Sequence, residues 1–244
     1  MIPLLTLFLA ASVEVKTGVD YLVVDVHTRH VLRQQWNDAD VPIPVGSLVK
    51  PFSALAYAGD FPTFVCHGAA DRCWLAHGHG RLTFREAVAQ SCNAYFLNLA
   101  RDVDPATLAV VASKFGISAP AADTADARIG LGKDWKISPI ALARAYAELA
   151  SRASEPRVAE ILAGMRGAAS NGTARGIGRD AMVLAKTGTA PCVAARRHTG
   201  DGFTVVLDPA DDPRIVVLVR VHGVPGAEAA KSAARVLRAL GGTQ

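Results

Sequence analysis

The sequence predicts a mixed α/β (α+β) protein: an antiparallel sheet flanked by helices, with a helical subdomain. Three observations predict it. β-rich runs lie in residues 19–36 and again in 180–244, so both chain ends supply the sheet. Residues 47–170 carry helical spacing, caps and stops instead. A turn-rich link, Asp208-Pro209-Ala210-Asp211-Asp212-Pro213, joins two C-terminal runs as antiparallel neighbours require.

Residues 21–25 read as a first strand and residues 31–35 as its hairpin partner. A helix is expected from Ser47 to residue 57, with Pro51 in or just past its first turn, where a missing N–H costs least. Residues 60–82, rich in Gly, Cys and His, read as irregular. Thr83 and Glu86 form a capping box that starts the next helix. A further helix covers residues 94–101, with Asn93 as a natural N-cap. Asp104-Pro105 opens another, which Gly116 closes, and Ser138-Pro139 opens one with Ile140, Leu142, Ala143, Tyr146 and Leu149 at helical spacing. Residues 117–128 are read as a loop. Strands follow at 182–186, 203–207 and 215–221, and an amphipathic helix at 227–240 closes the chain.

The chain has 244 residues, 50% hydrophobic and 20% charged, which suits a globular domain and not a disordered chain. A net charge of +4, with Arg196-Arg197-His198 as the densest basic spot, gives nucleic acid no footprint. Residues 1–12 form an apolar run about as long as a signal-peptide core, with Ala10 and Ser12 small enough for cleavage. No Lys or Arg precedes that run. A signal peptide over 1–12 and a single domain over 13–244 are the expectation, with a buried first strand as the alternative. Export would place the protein in the periplasm or elsewhere outside the cytoplasm.

Three motifs carry chemistry: Ser47-Leu48-Val49-Lys50, Ser91-Cys92-Asn93 and Lys186-Thr187-Gly188. Residues three apart on a helix share a face, so Ser47 and Lys50 point into one pocket. A serine hydroxyl attacks only when a base takes its proton, and Lys50 does that only when neutral. Lys186 nearby and removal from water would both lower the Lys50 pKa. Ser91 and Asn93 alternate around Cys92 and face the site together. The Ser91 hydroxyl is placed to relay a proton, and the Asn93 amide to hold a substrate amide. Lys186, Thr187 and Thr189, at a strand end, suit a substrate carboxylate. Gly188 would keep the strand clear for a substrate lying alongside. The backbone N–H groups of Ser47 and Thr189 would serve a developing oxyanion.

S-x-x-K, S-x-N and K-T-G in this order mark serine acyltransferases. The chain resembles the transpeptidase domain of the penicillin-binding proteins, in the β-lactamase/transpeptidase-like fold. The likeness extends to residues 45–52 (V-G-S-L-V-K-P-F), 129–132 (I-G-L-G), 137–150, 162–165 with 171–173, 186–190 and 209–216. It implies a Ser47 acyl-enzyme on D-Ala-D-Ala peptidoglycan peptides, covalent capture of β-lactams, and cell-wall synthesis proteins as partners. No cofactor is required for that catalysis. Departures are Ala185, where the family usually has Gly, and a size near a class D β-lactamase. That class resembles the chain less: the middle motif ends in Asn93, and Gly130 stands about where its guard tryptophan would fall. A β-lactamase is therefore the alternative enzyme, and a non-catalytic sensor of muropeptides or β-lactams the alternative without chemistry.

Four cysteines remain: Cys66, Cys73, Cys92 and Cys192. An exported protein suggests a Cys66–Cys73 disulfide. Cys66, Cys73, His79 and Cys92 together also offer a tetrahedral zinc set, spaced more widely than in a zinc ribbon, and free thiols are the third alternative. The run Cys73-Trp74, His79-Gly80 and Cys92 is similar to elongation-type penicillin-binding proteins, in which a structural zinc lies between the first two motifs. Cys192 is left over in every arrangement and reads as a small buried residue.

Overall fold

The structure is a computed structural model that describes residues 18–178, 182–191 and 200–241. The predicted signal peptide, Cys192 and Arg196-Arg197-His198 lie outside the described residues. Strands β1 (Val19–Asp25) and β2 (Val31–Gln35) form the N-terminal hairpin. A two-residue strand β3 (Ile43–Pro44) leads into a 3-10 turn, Gly46–Val49, which continues as α1 (Lys50–Ala56). Next come β4 (Phe64–Cys66), the 3-10 turn Gly68–Asp71, β5 (Gly80–Leu82) and α2 (Phe84–Ala89). Helices α3 (Asn93–Arg101), α4 (Pro105–Lys114) and α5 (Ala125–Arg128) follow, then β6 (Lys136–Ile137), α6 (Pro139–Ser151) and α7 (Pro156–Ser170). The chain ends in β7 (Leu184–Ala190), β8 (Asp201–Asp208), β9 (Ile215–His222) and α8 (Gly226–Gly241).

The main sheet has the order β2-β1-β9-β8-β7, and every neighbour is antiparallel. Its inner strands are apolar on both faces, because each face carries a core. Leu22, Val24, Val205, Leu207, Val216 and Leu218 point into the helical subdomain. Tyr21, Val23, Val206, Val217 and Val219 point the other way, onto α8 and the end of α7. This period-2 division follows from strand geometry. No helix among the described residues is long and apolar enough to cross a membrane.

The caps hold as expected. Thr83 and Glu86 make both bonds of the capping box, Asp104 accepts from Thr107 N (2.7 Å), and Ser138 accepts from Ala141 N (3.3 Å). Four expectations change. Residues 60–82 contain the β4–β5 hairpin. The loop 117–128 ends in α5, capped by Thr124. Asn93 does not cap α3; it is the first helical residue, and Cys92 precedes it as the cap position without a side-chain cap bond. The K-T-G motif lies within edge strand β7, not at its end.

Candidate active site

Ser47 is half-buried in the 3-10 turn that feeds α1, one turn before Lys50. Tyr146 of α6 anchors that turn from below, its hydroxyl donating to Leu48 O at 2.7 Å. Edge strand β7 packs against the turn from the side. A Cβ on Gly46 (φ +58) would overlap the Thr189 carbonyl, and one on Gly188 would crowd Val45 O and Leu48. Gly188 is thus needed for the docking of β7 on the Ser47 turn.

Ser91 sits between α2 and α3 with φ +51, an uncommon left-handed conformation for a serine. That kink turns both its hydroxyl and its carbonyl toward two lysines. Lys50 Nζ donates to Asn93 Oδ1 (2.6 Å), Ser91 O (2.9 Å) and, more weakly, Ser91 Oγ (3.5 Å). Lys186 Nζ donates to Ser91 Oγ (2.7 Å) and Thr187 O (2.8 Å). Both lysines are fully buried. Burial lowers the Lys50 pKa to about 7, with the Cys92 and Cys73 thiols pulling the other way. Burial, then the Lys50 charge, pushes Lys186 well below its ordinary value.

A cleft of about 320 Å³ joins Ser47, Ser91, Asn93, Thr187, Gly188 and Thr189, and Trp74, Leu131, Thr173 and Pro225 complete its walls. The structure therefore brings every predicted catalytic and substrate-binding residue to one place, with one change of position. Lys186 is buried behind the cleft on Ser91, whereas Thr187 and Thr189 reach the cleft itself. Thr189 Oγ1 accepts from Gly226 N (3.0 Å), which leaves its own proton free to donate. The Thr187 hydroxyl donates to Thr173 Oγ1 at 2.6 Å. The sequence reading gave Thr173 and Trp74 no role. They stand in quoted motif segments, but only the fold shows them in the cleft.

Beside the cleft, Cys66 of β4, Cys73, His79 and Cys92 place their ligand atoms within 4.8 Å of one another. Within this cluster Cys66 Sγ lies 3.6 Å and Cys73 Sγ 3.5 Å from His79 Nδ1, and Cys73 Sγ lies 3.7 Å from Cys92 Sγ. A tetrahedron with metal–sulfur bonds of about 2.3 Å has edges of about 3.8 Å, so the set fits zinc. The three thiols are unbridged. Burial, then the Lys50 charge and His77, lowers the His79 pKa and favours the neutral ligand form. Burial opposes ionisation of Cys73, yet N–H groups of Leu75, Ala94 and Asn93 and the Cys92 thiol outweigh it and lower its pKa. Burial pushes Cys92 well up. A cation among such thiols would favour their thiolate form.

The family model described as the penicillin binding protein transpeptidase domain matches residues 65–241. The chain belongs to that family. A comparison with curated proteins finds no match. Solved structures share the fold. PBP2 of Pseudomonas aeruginosa in complex with WCK 5153 superposes with TM-score 0.77 at 20% identity, over 91% of this chain and 73% of that one. PBP2 of Helicobacter pylori in complex with MreC gives 0.79 at 15%, over 92% and 60%. The transpeptidase domain of Burkholderia pseudomallei penicillin-binding protein 3 gives 0.72 at 20%, over 92% and 88%. The family match begins after Ser47 and Lys50, so their assignment to this transpeptidase domain rests on the geometry above.

Proposed function

We propose that this transpeptidase domain is a serine D,D-transpeptidase or carboxypeptidase that acylates Ser47 with D-Ala-D-Ala peptides of peptidoglycan, outside the cytoplasm. The observation that carries the proposal is Ser91, held by Lys50 and Lys186 in the cleft that Ser47 enters. Neutral Lys50 takes the Ser47 proton as Oγ attacks the D-Ala carbonyl carbon. As the C–N bond breaks, Ser91 passes its proton to the leaving D-Ala amine and is resupplied with the proton that Lys50 took from Ser47. Asn93 holds the substrate amide, and Thr189 donates to its carboxylate, joined by Thr187 when its hydroxyl turns from Thr173. An amine or water then takes the acyl group from Ser47.

The same attack opens a β-lactam ring and leaves a covalent adduct. The resemblance supports cell-wall synthesis proteins as partners. The cluster Cys66, Cys73, His79 and Cys92 would hold a structural zinc, tying the β4–β5 hairpin to the start of α3. A lactamase reading is less favoured: at Gly130 (φ +76) even a Cβ would overlap Gly46 O, so no guard tryptophan fits there.

Labelling with fluorescent penicillin tests the proposal. Wild type is expected to be labelled and Ser47→Ala not, with negligible steady-state turnover of a chromogenic β-lactam. A folded wild type that stays unlabelled overturns the acyl-enzyme; rapid turnover moves the chain to the lactamases.

A further inference from the structure

We propose that Trp74 is a substrate-positioning residue: its indole is the subsite for the apolar stem of the acyl donor's side chain, and the Cys66, Cys73, His79 and Cys92 cluster fixes its pose. The inference rests on the acyl-enzyme reading above.

The chain has three tryptophans. Trp36 and Trp135 are 3% and 2% exposed, whereas Trp74 is 53% exposed. Trp36 stacks on Phe203, and Trp135 donates to Ser118 O. Those two are core residues. Trp74 instead leaves about half of a large apolar side chain in water, and it does so in the wall of the cleft that holds Ser47.

The indole is also held in one orientation. Its Nε1 donates to Gln90 O at 3.2 Å, one residue before Ser91. Its ring meets the His79 ring edge-on, with centroids 5.2 Å apart and planes at 69°. Its backbone follows Cys73 directly. Two of the four metal-ligand candidates and the carbonyl next to the proton relay therefore set its pose. A rigid aromatic face costs little entropy when a ligand lands on it.

The chemistry of the ligand follows from the walls. Trp74, Leu131, Pro225 and Ala227 are apolar, and none of the described residues lining the cleft carries a charge. Hydroxyls and the Asn93 amide serve the reacting amide and carboxylate, which leaves the indole for an uncharged methylene or aryl stem. The competing explanation is that Trp74 only shields the His79 side of the cluster. That role would affect all acyl donors alike.

The experiment compares acylation rates, followed by intact mass, for benzylpenicillin and for 6-aminopenicillanic acid, which lacks the side chain. Trp74→Ala is expected to lower the benzylpenicillin-to-6-aminopenicillanic acid ratio about tenfold, and Trp74→Phe to restore most of it. An unchanged ratio, or equal losses with both compounds, overturns the proposal. A wild type acylated by neither compound brings down the acyl-enzyme reading as well, so the two failures are distinguishable. Iodide quenching of tryptophan emission adds a second readout, because Trp74 is the exposed indole. Benzylpenicillin should protect wild type from quenching, and chelator followed by Zn(II) should shift emission reversibly in wild type but not in Trp74→Phe. Emission that ignores Zn(II) overturns the link to the cluster.

Discussion

Two buried lysine side chains converge on one serine hydroxyl, and that arrangement sets the acid–base chemistry of the site. Lys50 is fully desolvated, and burial is what leaves its proton weakly held. With Lys50 titrating at about 7, acylation of Ser47 should rise with pH through neutrality and level off above it. Penicillin-labelling rates across that range check it; a rate that falls as pH rises through 7 contradicts Lys50 as the base. The same shift acts on stability. The folded Lys50 gives up its proton near pH 7 and the unfolded one at its ordinary 10.5, so the unfolded state holds more protons between them. This group therefore adds stability as pH rises through that window, and its burial is destabilising below it, by roughly 5 kcal/mol. Ser47 and Lys50 were legible because their spacing is local. The Ser91 partners were not, since the lysines come from 41 and 95 residues away.

At the scale of elements, the site depends on how closely β7 approaches the turn before α1. Gly46 sits at φ +58 with the Thr189 carbonyl where its Cβ would be. Gly46→Ala should push β7 off the Ser47 turn and cut penicillin labelling at least about tenfold, with thermal stability lowered by roughly 2 kcal/mol or more. Gly116 is the matched control: its φ is +68, but nothing lies within 4 Å of an added Cβ. Gly116→Ala should cost only the conformational strain, of order 1 kcal/mol, and leave labelling intact. Equal labelling in the two variants would show that the docking of β7 is not what shapes the cleft. Elements with local signals were readable: the Thr83 box, the Asp104 and Ser138 caps and the β-branched runs of β1 and β9. Helix α7 was placed only inside the helical part, because Gly164 and Gly167 weaken its intrinsic signal. Its helicity comes from tertiary packing, with Gly164 directly against Val88 of α2.

Across the whole molecule, the cleft lies where three remote stretches meet: the turn before α1, the α2–α3 junction and edge strand β7. Two of these are braced by regular structure, α6 through Tyr146 and the main sheet through β8. The α2–α3 junction is different. Ser91 holds a left-handed backbone there, and the segment between α1 and α2 has only the three-residue pair β4–β5 as regular sheet. The four-residue cluster sets two thiols and an imidazole of that segment against Cys92, between Ser91 and Asn93. The sequence supplied the ligand types and left a disulfide open; that four ligand atoms lie together is visible only in the fold. Zinc would then act as a cross-link whose binding free energy is folding free energy. Metal analysis of protein purified without chelator should give about one equivalent of zinc, lost in Cys73→Ala. Chelation should lower the thermal midpoint and slow Ser47 acylation together, since loosening Cys92 frees Ser91 and Asn93 from the lysines. Restoring Zn(II) should recover both. If chelation left the midpoint and the labelling rate unchanged, the Ser91 conformation would have to be held by α2 and α3 alone, and the cluster would be a set of packed thiols.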